Sequence, residues 1–220
     1  IIFTVASRAH HADIGGVSPG SMPANSRSIE EEGILFDNVL LVRGNELQEH
    51  KIRGLLERQP YPARNPNQNI EDLKAQIAAN AKGVKELENL VEHFGLCVVH
   101  AYMDHIKTNA RECVEDAIVN LSDGRSVIEL DTGERICVSV AIDTAARSAI
   151  VDFSGTSPVS AGNFNAPASI ARAAILYVFR TLVKKNIPLN AGCMRPITVR
   201  LPAASLVNPR YPAAVAAGNV

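Results

Sequence analysis

His10, His11 and Asp13 fall within four residues, just before Gly15-Gly16. Imidazole nitrogen and carboxylate oxygen together suit Zn²⁺, Mn²⁺ or Fe²⁺. The glycines let backbone approach closely. Two or three ligands from one loop do not complete a coordination shell, so at least one more protein ligand has to come from elsewhere. The competing reading is a loop whose His and Asp side chains bond backbone groups and cap turns. HxxD spacing is much less specific for a metal than HExxH.

A second cluster, Gly155-Thr156-Ser157 and Gly162-Asn163-Phe164-Asn165, precedes Pro167 and an apolar helical pattern. A glycine-rich loop before a helix offers N–H groups to an anion or carbonyl oxygen. Near Gly155-Thr156 and Gly162-Asn163 such groups can hold a developing oxyanion or a phosphate. The cluster has no Walker lysine and no GxGxxG, so it is not a nucleotide fingerprint. The alternative is an ordinary turn with an Asn-capped helix. His100 and His105, five residues apart, point to different helix faces. With His50 and His93 they read as surface or seam positions. Cys97, Cys113, Cys137 and Cys193 contain no CxxC pair, which leaves zinc-ribbon and thioredoxin readings without support. They read as buried, reduced thiols of a cytosolic protein.

These groups need a scaffold. The 220 residues are 46% hydrophobic and 20% charged with net charge −1, a globular composition that can bury a sizeable core. That balance argues against a general nucleic-acid surface, and no apolar run approaches the ~20 residues of a membrane-spanning helix. Ile1 to Ser7 reads as the interior of a buried strand and lacks the basic start of a signal peptide. With the apolar, uncapped end at Ala216 to Val220, it reads as part of a longer chain.

Residues 8 to 33 read as loop, Asn38 to Val42 as a short strand and Leu47 to Leu56 as a helix. Asn69 is placed to cap a helix starting at Ile70, with Leu73, Ile77, Asn80, Val84, Leu87, Val91 and Phe94 along its seam and Gly95 as its end. A second helix carries Val99, Tyr102, Ile106, Asn109 and Cys113 and ends near Leu121. The spacing predicts an antiparallel hairpin about 35 Å long, with Asn80 and Asn109 paired across it. Strands follow at 126–130, 136–142 and 148–153 as a meander. A helix from Pro167 through Lys185 then shows Ile170, Ala174, Tyr177, Val178 and Leu182 on one face, and a last strand covers 197–201. The expected fold is α+β, with a mixed or antiparallel sheet and a long antiparallel helical hairpin. Its regions are a site loop with short strands and one helix (1–68), the hairpin (69–121), and a meander, helix and final strand (122–220).

Several blocks, in order along essentially the whole chain, match one family. They are Arg8-Ala9-His10-His11-Ala12-Asp13-Ile14-Gly15-Gly16, Pro19-Gly20-Ser21-Met22-Pro23, Glu32-Gly33 and Asp72 to Asn80. Further along come Asp152-Phe153-Ser154-Gly155-Thr156-Ser157, Gly162-Asn163-Phe164-Asn165, Pro188 to Cys193 and Pro212 to Asn219. The chain resembles the hydantoinase B/oxoprolinase family, and Ala75 to Asn109 is most similar to its oxoprolinase branch. The resemblance implies a cytoplasmic, ATP-dependent hydrolase of cyclic amides that opens 5-oxo-L-proline to L-glutamate. This segment would belong to the ring-opening B-type portion and be inactive alone. His10, His11 and Asp13 are then the implied catalytic residues and ligands of a divalent metal (Zn, Mn or Mg), the other ligands lying in upstream Asn-Asp-Pro and Thr-His blocks. Gly155, Thr156, Gly162, Asn163 and Asn165 are the implied substrate-binding residues. ATP would be used by a hydantoinase A-type domain or subunit rather than bound by this segment. The assembly would be a homo-oligomer that acts on a small molecule and engages neither nucleic acid nor membrane. The alternatives are an N-methylhydantoinase, an acetone or acetophenone carboxylase-type subunit, or a non-catalytic assembly segment of such a complex.

Overall fold

The chain divides into two units, Ile1–Leu96 and Cys97–Val220, in a computed structural model that describes residues 2–219. Together they make an α+β fold with a mixed sheet, as expected.

The first unit begins with a long ordered loop containing single 3₁₀ turns at Pro19–Ser21 and Ile29–Glu31. A small hairpin follows, β1 (Val42–Arg43) paired with β2 (Glu46–Leu47). Gly44 and Asn45 at its tip both have positive φ, the conformation a tight two-residue hairpin requires. Two helices complete the unit, α1 (Glu49–Glu57) and α2 (Pro66–Phe94). Ile52 and Leu56 of α1 pack on Ile70 and Leu73 of α2 and on Ala63, with Ile34, Phe36, Leu41 and Leu47 around them.

Three expectations change here. The helix starts at Pro66, not Ile70. Asn65 is its cap, accepting the backbone N–H of Gln68 at 3.2 Å. A proline in the first turn loses no hydrogen bond, because that N–H has no intrahelical partner. The strand read at 38–42 shrinks to Val42–Arg43. Residues 2 to 7 of the strand read at 1–7 form no strand, and Ile1 lies outside the described residues. Phe3 and Val5 instead line a cavity of about 420 Å³ with Val84, Leu87 and Val91 of α2. A Cβ on Gly83 would meet Val5 Cγ1 at 2.8 Å, so the missing side chain makes room for this segment.

Helix α3 (Leu96–Ile118), all but its first residue in the second unit, follows α2 through Gly95, whose φ is +81°. Then come β3 (Gly124–Glu129), β4 (Arg135–Asp143) and β5 (Ser148–Asp152), an antiparallel meander. Helix α4 (Ala168–Leu182) leads to β6 (Ile197–Arg200), which pairs parallel to β5, the crossover connection that parallel pairing demands. Ala149 and Val151 alternate on β5, opposite Ile142 and Val140 of β4 and beside Ile197 and Val199 of β6. One face of the sheet is therefore apolar. It is covered by Ala110, Cys113, Val114 and Ile118 of α3 and by Ile175 and Phe179 of α4.

The inward face of α4 is not the one read from spacing. Ala171, Ile175 and Phe179 are buried, whereas Tyr177 is 73% exposed and Val178 53%. Both stripes recur at helical spacing, so periodicity alone could not choose between them. The burial makes a sharp prediction. Phe179→Ala should cost about 3–5 kcal/mol, and Tyr177→Ala should stay within about 0.5 kcal/mol of wild type, read as urea midpoints.

On the long helices, Leu73, Val99 and Cys113 of the predicted seam are buried, while Val84, Phe94, Tyr102 and Ile106 are exposed. Asn80 Oδ1 has no hydrogen-bond partner, and Asn109 Oδ1 lies 4.0 Å from the Cys113 thiol on its own helix. All four cysteines are free, but Cys97 is exposed rather than buried. Among the described residues, no helix is long and apolar enough to cross a membrane.

Candidate functional site

Asp13 is the hub of the N-terminal loop. Its Oδ1 accepts the backbone N–H of Gly15 at 2.9 Å and of Arg64 at 3.2 Å. Its Oδ2 accepts the backbone N–H of Gly20 and an Arg64 guanidinium N–H, both at 2.9 Å. A carboxylate offers about four acceptor positions, and here all are taken. Burial by itself pushes the Asp13 carboxyl up, but the backbone N–H groups and the Arg64 guanidinium outweigh it and hold the pKa below the ordinary aspartate value.

The glycines after Asp13 are sites of close backbone approach. Gly15 and Gly16 have φ of +93° and +88°. A Cβ on Gly15 would sit 2.3 Å from Tyr61 O, and one on Gly16 2.7 Å from Glu31 O. The room is used by hydrogen bonds from Gly16 N to Tyr61 O and from Val17 N to Glu31 O. Ser21 Oγ adds a clamp, accepting Ile14 N–H and donating to Gly15 O, both at 2.7 Å. Behind it, the buried Ser26 hydroxyl donates to Glu32 at 2.7 Å.

Helix α2 supports the loop from the other side. The buried Asn69 donates Nδ2–H to the Asp13 carbonyl at 2.8 Å. Asp72, one turn on, places Oδ2 3.3 Å from His11 Nδ1. His10 is exposed, and His11 is about one-fifth exposed at its side chain. The sequence reading missed Arg64, Asn69 and Asp72 as site residues. Spacing places Asn69 as a helix cap, but the stronger cap-plus-proline pair at Asn65-Pro66 leaves it free for another task.

In donor type these residues suit a divalent metal. His11 Nδ1 and Asn69 Oδ1 are buried polar atoms without hydrogen-bond partners. In number they fall short. Among the described residues no three His, Cys, Asp or Glu side chains gather to hold an ion, and the Asp13 oxygens are already occupied. As arranged, this segment does not complete a metal site.

The second predicted cluster is a loop stapled to β4. Thr156 Oγ1 donates to Cys137 O and accepts Cys137 N–H, both at 3.1 Å. Ser157 Oγ accepts Arg135 N–H at 2.8 Å. Gly155, at φ +94°, sits over the Cys137 thiol. The backbone N–H groups of Thr156 and Gly162 are used internally, by Phe153 O and Ser160 Oγ. Asn165 is fully buried, accepting Ser160 N–H and donating to the carbonyls of Ser160, Gly162 and Ala214. Asn163 is buried too, and its carbonyl accepts the N–H groups of Ala217 and Gly218. The Ser160 hydroxyl donates to Glu134, whose carboxyl this bond holds below its ordinary pKa.

The family profile described as Hydantoinase B/oxoprolinase matches residues 1–220. A 5-oxoprolinase of Dictyostelium discoideum is 45% identical over 229 residues, and one of Saccharomyces cerevisiae is 43% identical over 232. Each match covers 100% of this chain and 18% of the relative, so the chain spans under a fifth of their length. Among solved structures, an ATP-dependent caprolactamase from Pseudomonas jessenii matches with a TM-score of 0.77 at 25% identity, covering 93% of this chain and 36% of that one. A nucleotide-free acetone carboxylase matches with a TM-score of 0.76 at 19% identity, over 96% of this chain and 30% of that one, a likeness of fold alone.

Proposed function

We propose, because this chain belongs to the hydantoinase B/oxoprolinase family, that it is part of the ring-opening portion of an ATP-dependent cyclic-amide hydrolase converting 5-oxo-L-proline to L-glutamate. The observation that carries this reading is the loop around Asp13, held at four acceptor positions. Such a rigid loop presents two adjacent imidazoles on a fixed backbone, as catalysis by orientation requires. Relatives named 5-oxoprolinase at 45% and 43% identity support the substrate, and an ATP-dependent caprolactamase among the structural matches supports cyclic-amide chemistry.

A lactam is resonance-stabilised, so its carbonyl must be activated before water attacks. Phosphorylation of the carbonyl oxygen by ATP does this, and we assign that step to a hydantoinase A-type domain or subunit. Water then adds to the carbon, the ring C–N bond breaks with the nitrogen leaving protonated as an amine, and a second water cleaves the resulting acyl phosphate to carboxylate and inorganic phosphate. In this segment His10 and His11 are the groups able to move those protons. Asp13 holds the loop that carries them. A divalent ion held by His10 or His11, with its other ligands from outside this chain, would supply a water of lowered pKa, and Asp13, whose oxygens are all taken, would hold the loop and not the ion. The loop at 154–166 is assigned the substrate side, with Thr156, Asn163 and Asn165 holding the bends at the exposed Gly155 and the half-buried Gly162.

The test is His10→Ala in the full-length enzyme. Ring opening is expected to fall by about 10²-fold or more, with nucleotide binding retained. Wild-type turnover in this variant would overturn the assignment.

A further inference from the structure

We propose that Asp72 is a positioning residue that holds neutral His11 as its Nδ1–H tautomer, leaving Nε2 as the ring nitrogen with a free lone pair. The inference deepens the reading of His11 as a site residue and rests on it.

His11 Nδ1 is buried and has no hydrogen-bond partner, yet it lies 3.3 Å from Asp72 Oδ2. The two facts agree once direction is considered: the atoms are close, but the N–H is not aligned as a hydrogen bond, so the contact is electrostatic. That is enough to choose the tautomer. A lone pair on Nδ1 would face a carboxylate oxygen across 3.3 Å with no water between, which is repulsive. A proton there makes the contact attractive. The ring proton therefore sits on Nδ1, and whichever nitrogen carries it decides what the other can do.

Asp72 is itself held. Gln68 Nε2, one turn earlier on α2, donates to Asp72 Oδ1 at 2.8 Å, leaving Oδ2 to face the imidazole. Asn69, between them in sequence, ties the same helix to the loop through the Asp13 carbonyl at 2.8 Å. Asn69 and Asp72 are three residues apart and so share a helix face. The first turns of α2 thus fix both the loop backbone at Asp13 and the ring of His11.

The test is ¹⁵N NMR of histidine-labelled chain at a fixed pH of about 8.5, where an ordinary imidazole is neutral. Wild type should show His11 Nδ1 protonated and Nε2 unprotonated, in about tenfold excess over the other form. Asp72→Ala should move His11 towards the Nε2–H form that free side chains prefer. Gln68→Ala, which keeps the carboxylate but frees it to rotate, should shift it the same way by less, and it decides the matter if Asp72→Ala does not fold. Finding Nε2–H in wild type, or no change in the folded variants, overturns the proposal. The outcome is separable from the function itself. If His11→Ala in the full-length enzyme leaves turnover intact while the tautomer is locked, the catalytic reading of His11 fails and the positioning contact stands.

Discussion

Gly192→Ala is expected to cost the second unit about 3 kcal/mol or more, a drop in melting temperature of roughly 10 °C. A Cβ at Gly192 would lie 1.9 Å from Lys107 O and 2.7 Å from its carbonyl carbon. Those atoms are backbone of α3, inside a helix whose own hydrogen bonds resist displacement. The neighbouring Cys193 is buried in the core formed by α3, α4 and the sheet, so the turn at Ala191–Met194 cannot back away without opening that core. The internal control is Gly54→Ala. On α1 the new methyl would meet only the Arg58 side chain, at 3.8 Å. There it should stabilise by up to about 1 kcal/mol through helix propensity. Melting curves of the two variants within a degree of each other would refute the packing argument.

Asp13→Ala is expected to destabilise the first unit, and its effect falls on the site. The substitution strips acceptors from three backbone N–H groups (Gly15, Gly20, Arg64) and from the Arg64 guanidinium. Leaving such donors unmet in a partly buried loop costs roughly 2–4 kcal/mol in total. Because the lost bonds join the loop to the start of α2, proteolysis should open residues 8–24 first. Asp13→Asn, which keeps one oxygen, should fall between alanine and wild type. The pH dependence has a definite sign. The folded pKa is depressed, so this stabilisation is fully present above the ordinary aspartate pKa and is lost as pH falls through the lower folded value. Wild type and Asp13→Ala should therefore converge in stability at acid pH and separate towards neutrality. Parallel curves across that range would remove Asp13 from its role as hub.

Much of the candidate site was legible because its signals are local. Two adjacent imidazoles, a carboxylate and a glycine pair within seven residues announce a loop with work to do. The glycines indeed occupy positions that a side chain cannot. The helix break at Gly95, the meander of β3 to β5 and the last strand at β6 follow from turn residues and two-residue alternation, whereas the parallel pairing of β6 with β5 shows only in the folded chain. Those rules act over a few residues, so one chain suffices to read them.

Three matters only the tertiary structure decided. Which asparagine caps α2 depended on the competition between Asn65-Pro66 and Asn69, settled when Asn69 found the Asp13 carbonyl 56 residues away. Which stripe of α4 turns inward depended on the sheet it meets, since two apolar stripes share the same period. Above all, what Asp13 does depended on Arg64, 51 residues downstream. Spacing can propose that a carboxylate is a ligand or a cap. Only the folded chain shows which donors reach its oxygens, because a hydrogen bond is decided by distances of a few ångströms between groups that the sequence holds far apart.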